Sequence, residues 1–317
     1  MKIVSGLATI FMLHRVFNPD DKKLEPNEKM KISPDFLEKF ILESKLKGYK
    51  FITLDELSEV VLKGERLAKY FVMTLDDGYL DNYTHAYPLF KKHNVPFTVY
   101  ITTSFPDRSA ILWWYTLEDL ILKHDEIELN DGVIYSCKNK EEKNILFMEL
   151  RELIMEIPSE KLLESLQIMF QKYSVSWNSA VDNLAMSWQQ ITEMSANPSV
   201  TIGAHTVNHF MLANLSSEEL IKEIMESRSI IESHISKKVE HFSYPFGARG
   251  DSGKREFSVV LDLNFKTATT TRSGNIFKAH LNHLEALPRV ILSNDFTWSG
   301  FYRSSFRRFI RGRVVTV

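Results

Sequence analysis

Two carboxylates and two imidazoles stand out by the company they keep. Tyr70-Phe71-Val72-Met73-Thr74-Leu75 is an apolar, β-prone run that ends abruptly in Asp76-Asp77-Gly78. A buried strand delivering two acids to its C-terminal rim is costly unless they meet solvent, a cation or a metal, because an unpaired carboxylate out of water is strongly destabilised. Asp and Gly are also favoured turn residues, so an Asp-Asp-Gly turn accounts for the same residues. Far along the chain, the strand-like Val200-Thr201-Ile202-Gly203-Ala204 runs into His205-Thr206-Val207-Asn208-His209. Histidines four apart converge on one ion if the backbone turns helically, and imidazole is the commonest protein ligand of zinc-like metals. The pair sits at a strand end, as Asp76-Asp77 does. One Asp and two His would give three protein ligands and an open fourth position, the layout of a catalytic site.

Those strand ends need a frame. At 317 residues, 44% hydrophobic and 25% charged, the chain holds enough apolar side chains for one large core or two modest ones. A net charge of -2 gives no reason to expect nucleic acid as a partner, and one cysteine, Cys137, cannot form an intrachain disulfide, which suits a reducing compartment. The apolar residues 3–13 follow only Met1-Lys2, without a strong basic region or a small-residue cleavage site, so they are expected to be the first core strand rather than a signal. No stretch approaches the ~18–20 consecutive apolar residues of a membrane span.

After a charged loop over 18–31, Ser33-Pro34-Asp35 caps a helix that Gly48 stops, and Thr53 with Glu56 forms a capping box after a short strand over 49–52. A helix over about 82–93 ends before Pro96 and a strand follows at 97–101. The rhythm resumes with a helix capped at Ser187, a strand at 200–203, a helix opened by Ser216 and Glu219, and strands near 241–244, 266–269 and 289–292. Alternating strands and helices imply a parallel sheet. Between them the pattern changes: Asn130-Asp131-Gly132 signals a hairpin, Leu146, Leu150, Leu153, Ile154 and Ile157 share one helical face, and 162–173 reads as a second helix. Residues 1–105 and 187–300 are therefore expected to form one barrel domain, 106–186 an inserted helical and hairpin subdomain, and 301–317 a basic C-terminal tail. Removing the roughly 80 inserted residues leaves about 235, close to the ~250 of a βα barrel. In the tail, Arg303, Arg307, Arg308, Arg311 and Arg313 interleave with Phe301, Phe306, Phe309 and Ile310. That pattern reads as a solvated, partly frayed end, or as a segment resting on an anionic membrane surface.

Taken in chain order, Thr74-Leu75-Asp76-Asp77-Gly78 resembles the T-F-D-D-G motif of polysaccharide deacetylases, the NodB-homology family of carbohydrate esterases. His205-Thr206-Val207-Asn208-His209 resembles their H-[ST]-x-x-H motif, and Ser243-Tyr244-Pro245-Phe246-Gly247 their R-x-P-[FY]-G motif. The agreement runs from Leu13-His14-Arg15-Val16 to Leu287-Pro288-Arg289-Val290. The resemblance implies an α/β fold, a distorted (β/α) barrel of the NodB-homology type with an inserted, mainly helical subdomain, and hydrolysis of N-acetyl groups with a divalent metal. Carried over residue by residue, it implies that Asp77, His205 and His209 bind the metal and that Asp76 is the general base for the attacking water. The N–H of Phe246 would face the developing oxyanion, with Tyr244 beside it in the substrate-binding loop.

Two departures from the pattern matter. Ser243 stands where the family usually has the Arg that orients the base; Arg289, on a later strand end, is the candidate replacement, and a structural ion-pair role fits it equally. The late L-x-H motif that supplies the general acid in many relatives has no match, since His280 and His283 sit in a polar loop before Pro288. The branch resembling poly-N-acetylglucosamine deacetylases uses a His at the end of the first strand, where His14 stands and is the candidate acid; the alternative is a strand-end histidine bonded to backbone. Trp113-Trp114-Tyr115 suits stacking on sugar rings and equally suits anchoring the insert. His85 and His93 fall on a helix surface, and His234 and His241 flank a loop.

The expected function is thus a metal-dependent hydrolase removing N-acetyl groups from a sugar in a polysaccharide, glycolipid or lipid-linked precursor, as in surface-polysaccharide biosynthesis. An amidohydrolase of non-sugar amides and a non-catalytic glycan-binding relative are the alternatives; the second has no reason to retain all of Asp76, Asp77, His205 and His209. One divalent metal is expected, Zn2+ by its donors, with Co2+, Ni2+ or Fe2+ able to use the same ligands. The expected partner is an N-acetylated glycan or lipid-linked sugar, with no nucleic acid. The expected location is cytoplasmic, with peripheral contact to the inner face of the membrane through the C-terminal tail as the alternative to a freely solvated tail.

Overall fold

The computed structural model describes residues 6–63 and 69–311; residues 1–5, 64–68 and 312–317, Arg313 among them, lie outside the described residues. Seven strands among the described residues close into a parallel barrel: β1 (Ala8–Leu13), β2 (Tyr70–Leu75), β3 (Phe97–Ile101), β4 (Val200–Ala204), β5 (His241–Ser243), β6 (Thr267–Ser273) and β7 (Leu287–Ile291). Strand β1 closes the ring by pairing with β2 over its whole length and with β7 near its end. The short strand Lys50–Phe51 adds to the start of β2. The (β/α) barrel with an inserted subdomain is therefore the fold.

Both faces of β1 and β2 are covered, which is why they read as continuous apolar runs. Their alternate residues nonetheless join different clusters. Phe71, Met73 and Leu75 pack with Phe40, Phe90 and Ile224 of the surrounding helices. Tyr70 and Val72 pack with Ile10, Tyr100 and Leu287 inside the ring. The two-residue period carries that inner row on through Thr74 to Asp76, and in β1 from Ile10 through Met12 to His14. The register Leu13↔Leu75 then sets His14 beside Asp76 at the C-terminal rim.

The helices start where their caps predict. Ser33 Oγ accepts the Phe36 N–H at the head of Pro34–Leu46, and Ser187 and Ser216 close capping boxes on Trp188–Ser195 and Ser217–Ile235. The helix expected over 82–93 instead begins with one π-helical turn, Asn82–Ala86, before the α-helical Tyr87–Lys92. Between β3 and β4 the hairpin Glu126–Glu128 with Ile134–Ser136 and the helices Trp113–Lys123, Lys140–Met155 and Leu162–Met169 share a core of their own around Leu117, Phe147, Leu150, Leu166 and Trp177. Leu24 belongs to that core as well: the 18–31 segment, expected as a plain loop, contains the helical turn Glu25–Glu28, and Glu118 Oε1 accepts the Leu24 N–H at 2.8 Å.

The C-terminal segment departs from the frayed tail expected of it. Trp298–Arg311 is a helix, and Phe301 is 4% exposed, its ring 6.1 Å from that of Phe11 in β1. Aromatic packing against Phe11, Tyr49 and Phe71 anchors the first turn. The side chains of Phe306, Arg307, Arg308, Phe309, Ile310 and Arg311 lie outside the described residues.

Close packing of strands inside the ring makes one prediction. A Cβ on Gly203 of β4 would lie 2.5 Å from Tyr100 Cδ1 and 3.0 Å from the His241 carbonyl oxygen. Gly203→Ala is expected to lower the unfolding free energy by about 1–3 kcal/mol through overpacking. Urea denaturation checks this, and an unchanged midpoint would refute so close an approach.

Candidate active site

Pairing registers gather the chemistry at one end of the barrel. The Asp76 N–H donates to the Leu13 carbonyl at 3.0 Å, joining the ends of β2 and β1. The His205 N–H donates to the Ile101 carbonyl at 2.9 Å, joining the ends of β4 and β3. His205 Nδ1 lies 2.7 Å from the Ser243 carbonyl at the end of β5, so that nitrogen carries the proton and Nε2 is left as a lone-pair donor. His205 Nε2 and His209 Nε2 each lie 3.3 Å from Asp77 Oδ1, and ligand atoms of all three residues fall within 4.8 Å of one another. Neither contact has hydrogen-bond geometry, so Asp77 Oδ1 is buried without a hydrogen-bond donor among the described residues. Burial alone would push the Asp77 carboxyl up; His209 and His205 hold it well below the usual carboxylate range.

The two histidines do not meet by a helical turn, as their spacing suggested. The segment after β4 is irregular, with Thr206 and His209 in the left-handed region at φ 66° and 59°. Buried Thr206 accepts the His209 N–H on Oγ1 at 3.0 Å, and Glu223 of the helix Ser217–Ile235 accepts the N–H groups of Val207 and Asn208 and the Asn208 side-chain amide. Asp77 and Phe246 are left-handed as well, at φ 77° and 60°. Such conformations cost non-glycine residues of order 1–3 kcal/mol each and gather at functional sites.

Asp76 has a different partner from its neighbour. Arg289, without exposed surface in its side chain, donates from Nη1 and Nη2 to the two Asp76 oxygens at 2.7 and 2.6 Å. Its Nη2 also reaches Ser243 Oγ at 3.0 Å, and its Nε the Thr270 carbonyl at 2.9 Å. Ser243, small and hydroxylated, thus receives the arginine that comes from β7. Burial would raise the Asp76 carboxyl, and Arg289 brings it below its ordinary value.

His14 faces the same cavity, of about 320 Å³, that Asp76, Asp77, His205, His209, Trp114 and Phe246 line. Burial lowers its imidazole below the ordinary value even though Asp77 and Asp76 are near. Sequence reading missed what holds it: Asn82 Nδ2 donates to the His14 carbonyl at 2.8 Å, and Asp81 accepts the Val16 N–H and Arg15 Nε at 3.0 and 2.7 Å. The π-helical turn begins at Asn82, and only the polar pair Asp81-Asn82 at a helix start hinted at it. Phe246 places its ring 5.0 Å from that of His209, and Thr271 Oγ1 donates to its carbonyl at 2.6 Å. Tyr244, expected beside it in the substrate-binding loop, borders the cavity, but its side chain is fully buried and its hydroxyl donates to the Glu285 carbonyl at 2.8 Å, which leaves no hydroxyl to offer a ligand. Trp113 packs in the insert core, as one of the two readings has it, and also lines the cavity. His280, bonded to the Phe277 N–H at 3.0 Å, is no part of the cavity wall.

A family model described as polysaccharide deacetylase matches residues 63–134 and 159–261, more than half of the chain. The match contains Asp76, Asp77, His205, His209, Tyr244 and Phe246 and excludes His14 and Arg289. Among solved structures, the chain is similar to the Streptococcus pyogenes deacetylase PplD in complex with acetate, with 17% identity, TM-score 0.60, and coverage of 94% of this chain and 97% of that one. It is similar to IcaB from Ammonifex degensii, with 16% identity, TM-score 0.58, and coverage of 94% and 97%. It is similar to a de-N-acetylase from Aggregatibacter actinomycetemcomitans, with 15% identity, TM-score 0.58, and coverage of 95% and 99%. These likenesses are of fold. No curated protein matches the chain by sequence.

The buried pair gives a test of its own. Arg289→Ala leaves Asp76 as an uncompensated buried charge and is expected to cost about 3–5 kcal/mol of stability. Chemical denaturation at neutral pH measures it, and a loss below about 1 kcal/mol, the worth of an exposed pair, would show the pair to be energetically idle.

Proposed function

We propose that this chain, which belongs to the polysaccharide deacetylase family, removes N-acetyl groups from a sugar with one divalent ion held by Asp77, His205 and His209. Family membership makes it a carbohydrate N-deacetylase, a hydrolase of carbon–nitrogen bonds other than peptide bonds; the ion, the division of labour and the substrate class are the proposal. The observation that carries it is Asp77 Oδ1, buried 3.3 Å from two imidazole nitrogens and without a hydrogen-bond donor among the described residues, an arrangement that a cation would satisfy. One carboxylate and two imidazoles suit Zn2+ and leave room for other ligands. When bound, such an ion supplies Lewis acidity that makes water a stronger acid and polarises an amide carbonyl.

The remaining work falls to side chains and one peptide. Asp76, ionised and aimed by Arg289, takes the proton of the attacking water on a carboxylate oxygen. As the acetyl carbonyl becomes tetrahedral, the Phe246 N–H, on the cavity wall, donates to its oxygen. His14 gives a proton to the leaving sugar nitrogen when the C–N bond breaks, so that acetate and a free amine result. Its lowered pKa makes the protonated imidazole a strong donor. Trp113 and Trp114 offer aromatic walls to the sugar. The substrate of this reading carries the N-acetylated sugar in a polysaccharide, glycolipid or lipid-linked precursor.

Asp77→Ala and His209→Ala are expected to lose bound metal and acetate release together, as read by elemental analysis and an acetate assay; full acetate release from Asp77→Ala protein would falsify the ligand assignment. Asp76→Asn should keep its metal and lose most turnover. His14→Ala should slow amide hydrolysis by about 10²–10⁴-fold while still hydrolysing 4-nitrophenyl acetate, whose leaving group needs no proton. Equal losses on both substrates would remove His14 as the acid.

A further inference from the structure

The insert supplies one wall of the active-site cavity, and that wall carries a charge the chemistry does not use. Besides Asp76, Asp77 and the histidines, the cavity is lined by Phe147 and Arg151 of the insert and by Lys29 from the segment after β1. Among the described residues the acids of its lining are Asp76 and Asp77, the first taken by Arg289 and the second set between two histidines. Lys29 is balanced by Glu25 at 2.7 Å. Arg151, half-buried on the helix Lys140–Met155, forms no ion pair or hydrogen bond among the described residues. A guanidinium carries five N–H donors in a fixed fork and is matched by a carboxylate or phosphate. In the cavity lining it is open to an arriving acceptor.

A second, smaller cavity of about 110 Å³ shares Trp114, His209 and Phe246 with the first, and on its side the insert presents Ile154, Ile157 and Leu162. The helix bearing Arg151 therefore borders both cavities, with the charge of Arg151 on the larger and, a turn later, the apolar Ile154 on the smaller. That asymmetry gives the substrate a direction. We propose that Arg151 is a specificity-determining residue that binds an anionic group, a carboxylate or a phosphate, attached next to the N-acetylated sugar on the side away from Ile154. This rests on the deacetylase reading above. The shared chemistry is a pair of anionic oxygens accepting the guanidinium fork; the source is either the carboxylate of a neighbouring acidic sugar or a phosphate on the anomeric carbon of the reacting one.

The experiment uses zinc-loaded full-length protein and three substrates: di-N-acetylchitobiose, a disaccharide of glucuronic acid and N-acetylglucosamine, and N-acetylglucosamine 1-phosphate. Charge-assisted hydrogen bonds from Arg151 predict that one anionic substrate exceeds the neutral one by about 10- to 100-fold in kcat/KM. Which one does so identifies carboxylate or phosphate as the source. Arg151→Gln should erase that preference chiefly through KM, and Arg151→Lys should restore part of it, because a point charge replaces the fork. Equal kcat/KM for neutral and anionic substrates, or a preference that survives in Arg151→Gln, overturns the proposal. Calorimetric binding of glucosamine, glucosamine 1-phosphate and the de-N-acetylated glucuronic acid disaccharide keeps the two readings apart. If no substrate releases acetate, the deacetylase reading fails, while tighter binding of either anionic compound that Arg151→Gln abolishes still supports the anion site and its absence refutes it.

Discussion

A guanidinium with no exposed side-chain surface, Arg289, ties four strands of the barrel to one carboxylate. It bonds Asp76 at the end of β2, Thr74 within β2, Ser243 on β5 and the Thr270 carbonyl on β6, while itself belonging to β7. An ion pair so deep gives little net stability compared with an apolar core, because desolvation offsets attraction. What it does provide is an ionised carboxylate in a fixed orientation inside a closed ring. The barrel interior is apolar below it, around Ile10, Val72, Tyr100 and Leu287, so the inner row changes from packing to chemistry within a few residues. Without Arg289, Asp76 would lose the partner that does most to keep it charged there.

Closure of the ring is what makes that row converge. Every strand ends at the same rim because all seven run parallel, and the hydrogen bonds Asp76 to Leu13 and His205 to Ile101 lock neighbouring ends together. The loops that leave the rim then carry the strain: Asp77, Thr206, His209 and Phe246 all lie at positive φ. Rigid strands below and buried acceptors such as Glu223 above hold these loops in place. The arrangement is one in which the scaffold fixes positions and short irregular segments aim the side chains.

The insert plays the complementary part. It has its own core, shared with Leu24 from the loop after β1, and joins the barrel through Arg15, whose guanidinium meets Asp81 and the hydroxyl of Tyr115. The same Asp81 and its neighbour Asn82 hold the backbone around His14. The backbone around His14 and the insert at Tyr115 are thus joined through Arg15 and Asp81.

Much of this molecule is legible in its sequence, and particular residues show why. The fold follows from local signals that act over a few residues: the caps at Ser33, Ser187 and Ser216, the apolar runs of the strands, and the Asn130-Asp131-Gly132 hairpin. Asp76, Asp77, His205 and His209 were recognisable because charge at the end of an apolar strand is expensive and therefore purposeful. The tertiary structure decided the rest. Only strand register brings Arg289 across the ring to Asp76 and Ser243; only tertiary contacts show that the hydroxyl of Tyr244 is occupied and that Phe301, in the first turn of a helix, is packed rather than frayed. Backbone conformation, not spacing, makes His205 and His209 converge, since their loop is left-handed where the spacing suggested a helical turn. Local sequence encodes which elements form and which side chains could react. Partners hundreds of residues apart are chosen by the closed sheet, whose geometry no local pattern contains.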